Sequence, residues 1–247
     1  LHSIKQMVNG DYPISSPEQN HLLASLPAEI IARFTPHLRL VKLQLGQCLY
    51  ESGDELKHVF FPTNSVISLL YIMENGDSAE MSVIGNDGII GIALFMGGES
   101  MPNRAVVQSS GNAYQLPGGI LKQEFLRHGD FHGVLLRYTQ SLMTQMAQTA
   151  VCNRHHSIEQ QLCRWLLLSL DRTPSNVLIM TQELIASMLG VRRERVAIAA
   201  GKLQKLGIIE YHRGRLTILA RTKLEKLSCE CYQVVKTECD RLLHYLP

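Results

Sequence analysis

The run Arg192-Arg193-Glu194-Arg195 holds the most chemically pointed side chains of this 247-residue sequence. A guanidinium donates two parallel hydrogen bonds to guanine, and a carboxylate accepts one from the cytosine amino group. Such residues at the first turn of a helix suit base reading in a DNA major groove. Arg193 and Glu194 are therefore assigned to base edges, and Arg192 and Arg195 to bases and phosphates together. Lys202, Lys205, Arg213 and Arg215 stand where phosphate contact is expected. From Thr181 to Arg221 there are eight Lys/Arg and three Asp/Glu, 8 − 3 = +5, against 16 − 19 = −3 elsewhere. A local basic patch is the footprint of a phosphate-backbone partner. Arg192 breaks a local rule: a cation at a helix start caps no amide and opposes the dipole. A DNA phosphate there would relieve both problems.

The neighbouring residues are those needed to position this run. Thr181 is expected to cap a first helix at the DNA face, with Leu184, Ile185 and Met188 as its apolar side. Gly190 supplies the positive φ of a tight interhelical turn. Val196, Ala199, Ala200 and Leu203 would pack the second helix back on the first. A strand at Gly207–Tyr211, a turn at His212–Arg215 and a returning strand at Leu216–Leu219 complete a winged helix-turn-helix.

Upstream the pattern changes. Leu38, Leu40, Leu43, Leu45 and Leu49 sit at near-alternate positions. Val59–Phe61, Val66–Tyr71, Ala79–Ile84 and Arg104–Gln108 read as further short strands between Gly, Asn, Asp and Pro turns, which predicts an all-β barrel or sandwich. Phe131–Cys152 reads as one long helix. Its stripe of Leu135, Leu142, Met146 and Thr149, with Tyr138 beside it, has the spacing to face either its own domain or a partner helix, and it is assigned to a dimer seam. Asn153–His156 reads as a hinge, and Ser157-x-x-Gln160 as a capping box starting the next helix. The expected organisation is α+β: a polar arm over residues 1–17, a sensing β domain over 18–130, a dimerisation helix and hinge over 131–156, and a DNA-binding domain with an amphipathic helical tail over 157–247.

Composition narrows the class. Apolar residues at 45% and charged residues at 19% supply real cores. The longest apolar run, Gly88–Gly98, is too short to cross a bilayer as a helix, so no membrane association is expected. The chain starts at Leu1 with no Met, as a processed or trimmed chain would, and with no apolar signal core; a cytoplasmic protein is expected. Six cysteines are too sparse for a disulfide framework and read as reduced thiols. Cys229-x-Cys231 with Cys239 and His244 fits no familiar zinc spacing; helix packing is the better reading, and no metal site is expected. No catalytic motif is present, so no catalytic residue is assigned and an enzyme is not expected.

From about Asn20 to the end of the wing the chain resembles the Crp/Fnr family of bacterial transcription regulators. Leu189-Gly-Val-Arg-Arg-Glu-Arg-Val196 carries the resemblance most specifically, matching that family's recognition-helix start. The resemblance implies a cyclic-nucleotide-binding-like β-roll (a jelly roll), a long dimerisation helix and a C-terminal winged helix, working as a homodimer on a near-palindromic double-stranded DNA operator. It places the family's base-reading Arg and Glu on Arg193 and Glu194, and Ile198 where catabolite activators carry another Arg. RNA polymerase is an implied further partner. The effector region would be Gly88, Ile89, Gly91, Glu99, Arg104 and Ala105. Ile89 replaces the ribose-binding Glu and Ala105 the phosphate-binding hydroxyl, so cAMP is disfavoured and no cofactor is expected. An iron–sulfur set near the N-terminus is missing, since the first cysteine is Cys48, and no His stands out as a haem ligand. The competing class is a cyclic-nucleotide-regulated signalling module whose winged helix contacts proteins; it predicts DNA affinity without sequence preference.

Overall fold

The computed structural model describes residues 16–173 and 175–243; the expected N-terminal arm lies outside them but for Ser16 and Pro17. Two short helices come first, α1 (His21–Ala24) and α2 (Ala28–Phe34). Seven strands follow: β1 (Arg39–Leu43), β2 (Cys48–Tyr50), β3 (His58–Pro62), β4 (Val66–Ile72), β5 (Ser78–Ile84), β6 (Arg104–Ser109) and β7 (Gly111–Pro117). The short helix α3 (Ala93–Met96) lies between β5 and β6, and α4 (Gly118–Phe125) follows β7. The strands form two antiparallel sheets, ordered β1-β7-β3 and β2-β6-β4-β5. Alternation directs the inward set: in β3, Val59 and Phe61 are fully buried while His58 and Phe60 are half-buried. This is the roll that the strand spacing and the resemblance predict.

The long helix α5 (Asp130–His155) closes the roll. Leu135, Tyr138 and Leu142 are buried in the roll's own core, and Met146 packs against it half-buried. Tyr138 donates from its hydroxyl to the Ile89 carbonyl at 3.0 Å. A Cβ on Gly88 would stand 2.6 Å from that hydroxyl, so the close approach of α5 requires glycine there. Thr149 bonds the Gln145 carbonyl and accepts from Arg164 at 2.7 Å. The stripe expected to meet a partner helix thus faces the chain's own interior. The reason is amphipathic: the most apolar face of α5 covers the open roll, which the spacing of one helix cannot distinguish from a coiled-coil seam.

The C-terminal part runs α6 (Ile158–Leu170), β8 (Val177–Ile179), α7 (Gln182–Leu189), α8 (Arg193–Lys205), β9 (Ile209–His212), β10 (Arg215–Ile218), α9 (Arg221–Leu227) and α10 (Glu230–Leu243). The Ser157/Gln160 capping box starts α6 as expected. Every residue of α6 from Gln161 to Leu170 is buried. A helix buried all round must have partners on opposite sides. On one side stand Val66, Leu70 and Val83 of the roll; on the other, Val196, Ala199, Ala200 and Leu203 of α8. Polar contacts lock the same junction: Trp165 Nε1 donates to Glu80 at 2.8 Å, Gln108 to Ser169 at 3.2 Å, and Arg172 pairs with Asp87 at 2.9 Å. The tail folds back as α10 along α5, where Arg137 donates to the Leu242 carbonyl and Ser141 contacts the Cys239 thiol. Among the described residues no helix is long and apolar enough to cross a membrane.

Candidate nucleic-acid interface

Local rules build the recognition unit. The Thr181 hydroxyl accepts from the Leu184 amide at 3.1 Å and caps α7. Gly190 ends α7 at φ +64°, a left-handed residue that turns the chain into α8. Arg192 is the N-cap of α8, and no side chain caps it. The first-turn amides of α8 are therefore open, and the helix dipole presents its positive end there.

The exposed ridge of α8 follows from its period. Val196, Ala199, Ala200 and Leu203 are buried, so the outward direction passes through Glu194, Ile198 and Lys205. Arg193 and Arg195 flank that ridge, both exposed. Ile198, an isoleucine left 62% exposed beside charged neighbours, is not explained by packing. The wing, β9–β10, turns through Arg213 (φ +48°) and Gly214 (φ +79°), consecutive left-handed residues of a two-residue hairpin. Arg213 and Arg215 are exposed on it. Between wing and helices lies a polar hollow of about 300 Å³ lined by Thr181, Gln182, Arg193, Tyr211 and Arg213. Tyr211 donates to the Met180 carbonyl at 2.8 Å, and burial raises its phenol above the ordinary range.

Two residues of this hollow, Gln182 and Tyr211, escape the sequence reading, because their role comes from the wing folding against α7. Lys202 goes the other way. Although it shares a face of α8 with Arg195, its ammonium ion-pairs with Glu159 of α6. That pairing engages the charge assigned on sequence grounds to a phosphate. Arg221, counted in the basic stretch, is likewise tied to Asp171 and Glu225. Arg192, Arg193, Arg195, Lys205, Arg213 and Arg215 carry no ion pair among the described residues.

The residues assigned to an effector differ in burial and pairing. Ile89 and Ala105 are fully buried in the roll core. Glu99 pairs with Lys122 at 2.6 Å, which holds its carboxyl below the usual range, and Arg104 pairs with Glu51 at 2.7 Å. Gly88 lies under Tyr138, and Gly91 (φ +100°) backs onto Val59.

On α5, the exposed residues Leu136, Gln140, Met143, Ala147 and Ala150 recur at spacings of four, three, four and three. That is the heptad period of a coiled-coil seam. It lies about a third of a turn round the helix from the five residues assigned to the seam on sequence grounds.

Comparison with known proteins adds an independent line. Residues 160–227 match the Crp-like helix-turn-helix domain, and residues 40–128 the cyclic nucleotide-binding domain. The global nitrogen regulator of Synechococcus elongatus is 18% identical over 190 residues, covering 73% of this chain and 86% of that protein. The structure of FixK2 from Bradyrhizobium japonicum superposes with a TM-score of 0.64 at 14% identity, covering 78% of this chain and 98% of that one. A CRP-family transcriptional regulator from Thermus thermophilus gives 0.62 at 16% identity, covering 76% and 96%.

Proposed function

Since the chain is a Crp/Fnr-type transcription regulator, a cyclic nucleotide-binding domain joined to a Crp-like helix-turn-helix domain, we propose that it binds a near-palindromic operator as a homodimer, through α8 in the major groove and the wing on the backbone. The observation that carries this reading is the contrast in pairing. Lys202 and Arg221, at the far end of the same basic stretch and on its rear face, are held by carboxylates, whereas the arginines around the start of α8 and on the wing have no ion pair among the described residues. Unpaired cations on a rigid scaffold await phosphates and bases.

The roles divide by geometry. The open amides at Arg192 and the wing arginines take phosphates and set the register. Arg193 and Glu194 read base edges. Ile198 on the outward ridge suits a thymine methyl, an apolar readout in place of the Arg that the resemblance led one to seek there. Two copies related by a two-fold axis along the Leu136–Met143–Ala150 stripe would present two α8 helices, to be spaced about 34 Å apart on successive grooves. The packed Ile89 and Ala105 and the paired Arg104 support a roll that takes no cAMP. A contact with RNA polymerase belongs to the same reading.

The test is selection of bound fragments from random duplex DNA by the purified protein at physiological salt, without added nucleotide. The expected result is a two-fold symmetric motif whose half-sites are about one helical turn apart. Enrichment without sequence preference, unchanged by added cyclic nucleotides, would instead point to the protein-contact role.

A further inference from the structure

A sulfur-rich cluster that DNA binding does not use lies where the end of α5 meets the start of α10. Cys152, Cys229 and Cys231 form a buried group of their own. His156, the C-cap of α5, stands half-buried beside them. The four potential ligand atoms all lie within 4.8 Å of one another. Cys152 Sγ and Cys229 Sγ are 3.5 Å apart, and Cys231 Sγ is 3.6 Å from His156 Nδ1. Zinc bonds of about 2.3 Å to sulfur and about 2.0–2.1 Å to nitrogen give a tetrahedron with edges of about 3.5–3.8 Å. We propose that Cys152, His156, Cys229 and Cys231 form a structural zinc site that clamps α10 to the end of the long helix.

Three further observations support the assignment. First, the imidazole is held as a ligand should be. Its Nδ1 faces the cluster, while Nε2 lies 3.3 Å from the Glu230 carboxylate. A carboxylate on the outer nitrogen fixes tautomer and ring orientation in metal-bound histidines. Second, the charge balances. Zinc with three thiolates carries one net negative charge, and the buried guanidinium of Arg164 acts electrostatically on Cys152 and Cys231. Arg164 bonds Thr149, and its Nε is buried with no hydrogen-bond partner. A buried cation is costly without a compensating anion. Third, the backbone is prearranged: Gln161 donates to the His156 carbonyl at 2.9 Å, holding the turn that carries the histidine.

The donor set selects the metal. Three sulfurs and one imidazole in a tetrahedron suit zinc and exclude calcium or magnesium, which need oxygen ligands. Binding forms three zinc–sulfur bonds and one zinc–nitrogen bond, releases the thiol protons to solvent, and leaves the metal's oxidation state unchanged. The site departs from the grouping that the sequence suggests. Cys239 contacts Ser141 instead, and His244 lies outside the described residues. Their places are taken by Cys152 and His156 from another helix.

The test uses the full chain purified under reducing conditions. Elemental analysis after dialysis should find about one zinc per chain, and cobalt(II) substitution should produce the intense visible bands of tetrahedral thiolate coordination. Cys229→Ser combined with Cys231→Ser should abolish both signals, while Cys239→Ser should leave both unchanged. Should the double variant not fold, His156→Cys provides the complementary readout: it should keep the metal with altered cobalt bands. A strong chelator should lower the wild-type Tm and leave that of metal-free variants unmoved. A folded, reduced wild type that holds no zinc and gives no cobalt bands would overturn the proposal. So would iron or copper in place of zinc, or a Cys152–Cys229 disulfide in the protein as isolated.

Discussion

The roll and the winged helix use their charges in opposite ways. In the roll, Arg104 is paired with Glu51, Lys122 with Glu99, and Arg33 with Glu124, while Ile89 in the loop after β5 and Ala105 in β6 are fully buried. Around the start of α8, Arg192, Arg193 and Arg195 stand exposed without such partners. Paired surface charges are worth little and need nothing further. Unpaired charges concentrated on one face keep their field for a partner. The comparison teaches that the same residue types are held by carboxylates in one region and left open in the other, which is what the proposed DNA-binding reading rests on.

The largest effect separates the two faces of α5. Leu135→Ala should destabilise the chain by about 2–5 kcal/mol, since it empties a fully buried site in the roll, and chemical denaturation will read it. Leu136→Glu, one residue on but 51% exposed, should leave monomer stability within about 0.5 kcal/mol and instead reduce the sedimentation mass. An unchanged mass would move the seam elsewhere.

Next comes the junction between the two regions. Glu80 is buried against Trp165, and desolvation raises its pKa to about 7, against the opposing pull of Ser68, Trp165, Arg164 and Arg172. Its Oε2 is buried without a hydrogen-bond partner. The folded state therefore keeps a proton that the unfolded chain has already lost above the ordinary carboxyl pKa. Stability from this group is fully present below about pH 4.5 and falls by about 2–3 kcal/mol as pH rises to about 7. Glu80→Gln should flatten that slope in pH-dependent denaturation. A slope equal to wild type would remove Glu80 as its source.

On the DNA side, Arg193→Ala should cost about 1–3 kcal/mol on a selected operator and relax preference at one base position. Equal loss on all sequences would demote Arg193 to a phosphate contact. Arg104→Ala in the roll should leave operator affinity unchanged. The smallest effects compare two cations of the same domain. Arg213→Ala should lower the salt dependence of binding by about one phosphate contact, whereas Lys202→Ala, already paired with Glu159, should not alter it. Fluorescence anisotropy across a salt series reads both.

Much of this architecture was legible in the sequence, where the cause is local. Thr181, Gly190 and the Arg213-Gly214 turn act within a few residues of chain, through caps and left-handed backbone. Strands at Val59–Phe61 and Val66–Tyr71 follow from β-rich runs between turn residues. Local hydrogen bonding and side-chain period determined these elements, and the recognition helix with them. Which face of each helix meets what was decided only by tertiary packing. The stripe of Leu135, Tyr138 and Leu142 has the spacing of a seam, yet the open roll claims it. Lys202 has the charge of a phosphate contact, yet α6 brings Glu159 to it. Cys152 and Cys229 are 77 residues apart in the chain, and only the return of α10 along α5 sets their sulfurs 3.5 Å from one another. A period states that a helix has an apolar face, but the burial of surface distant in sequence chooses the partner that covers it.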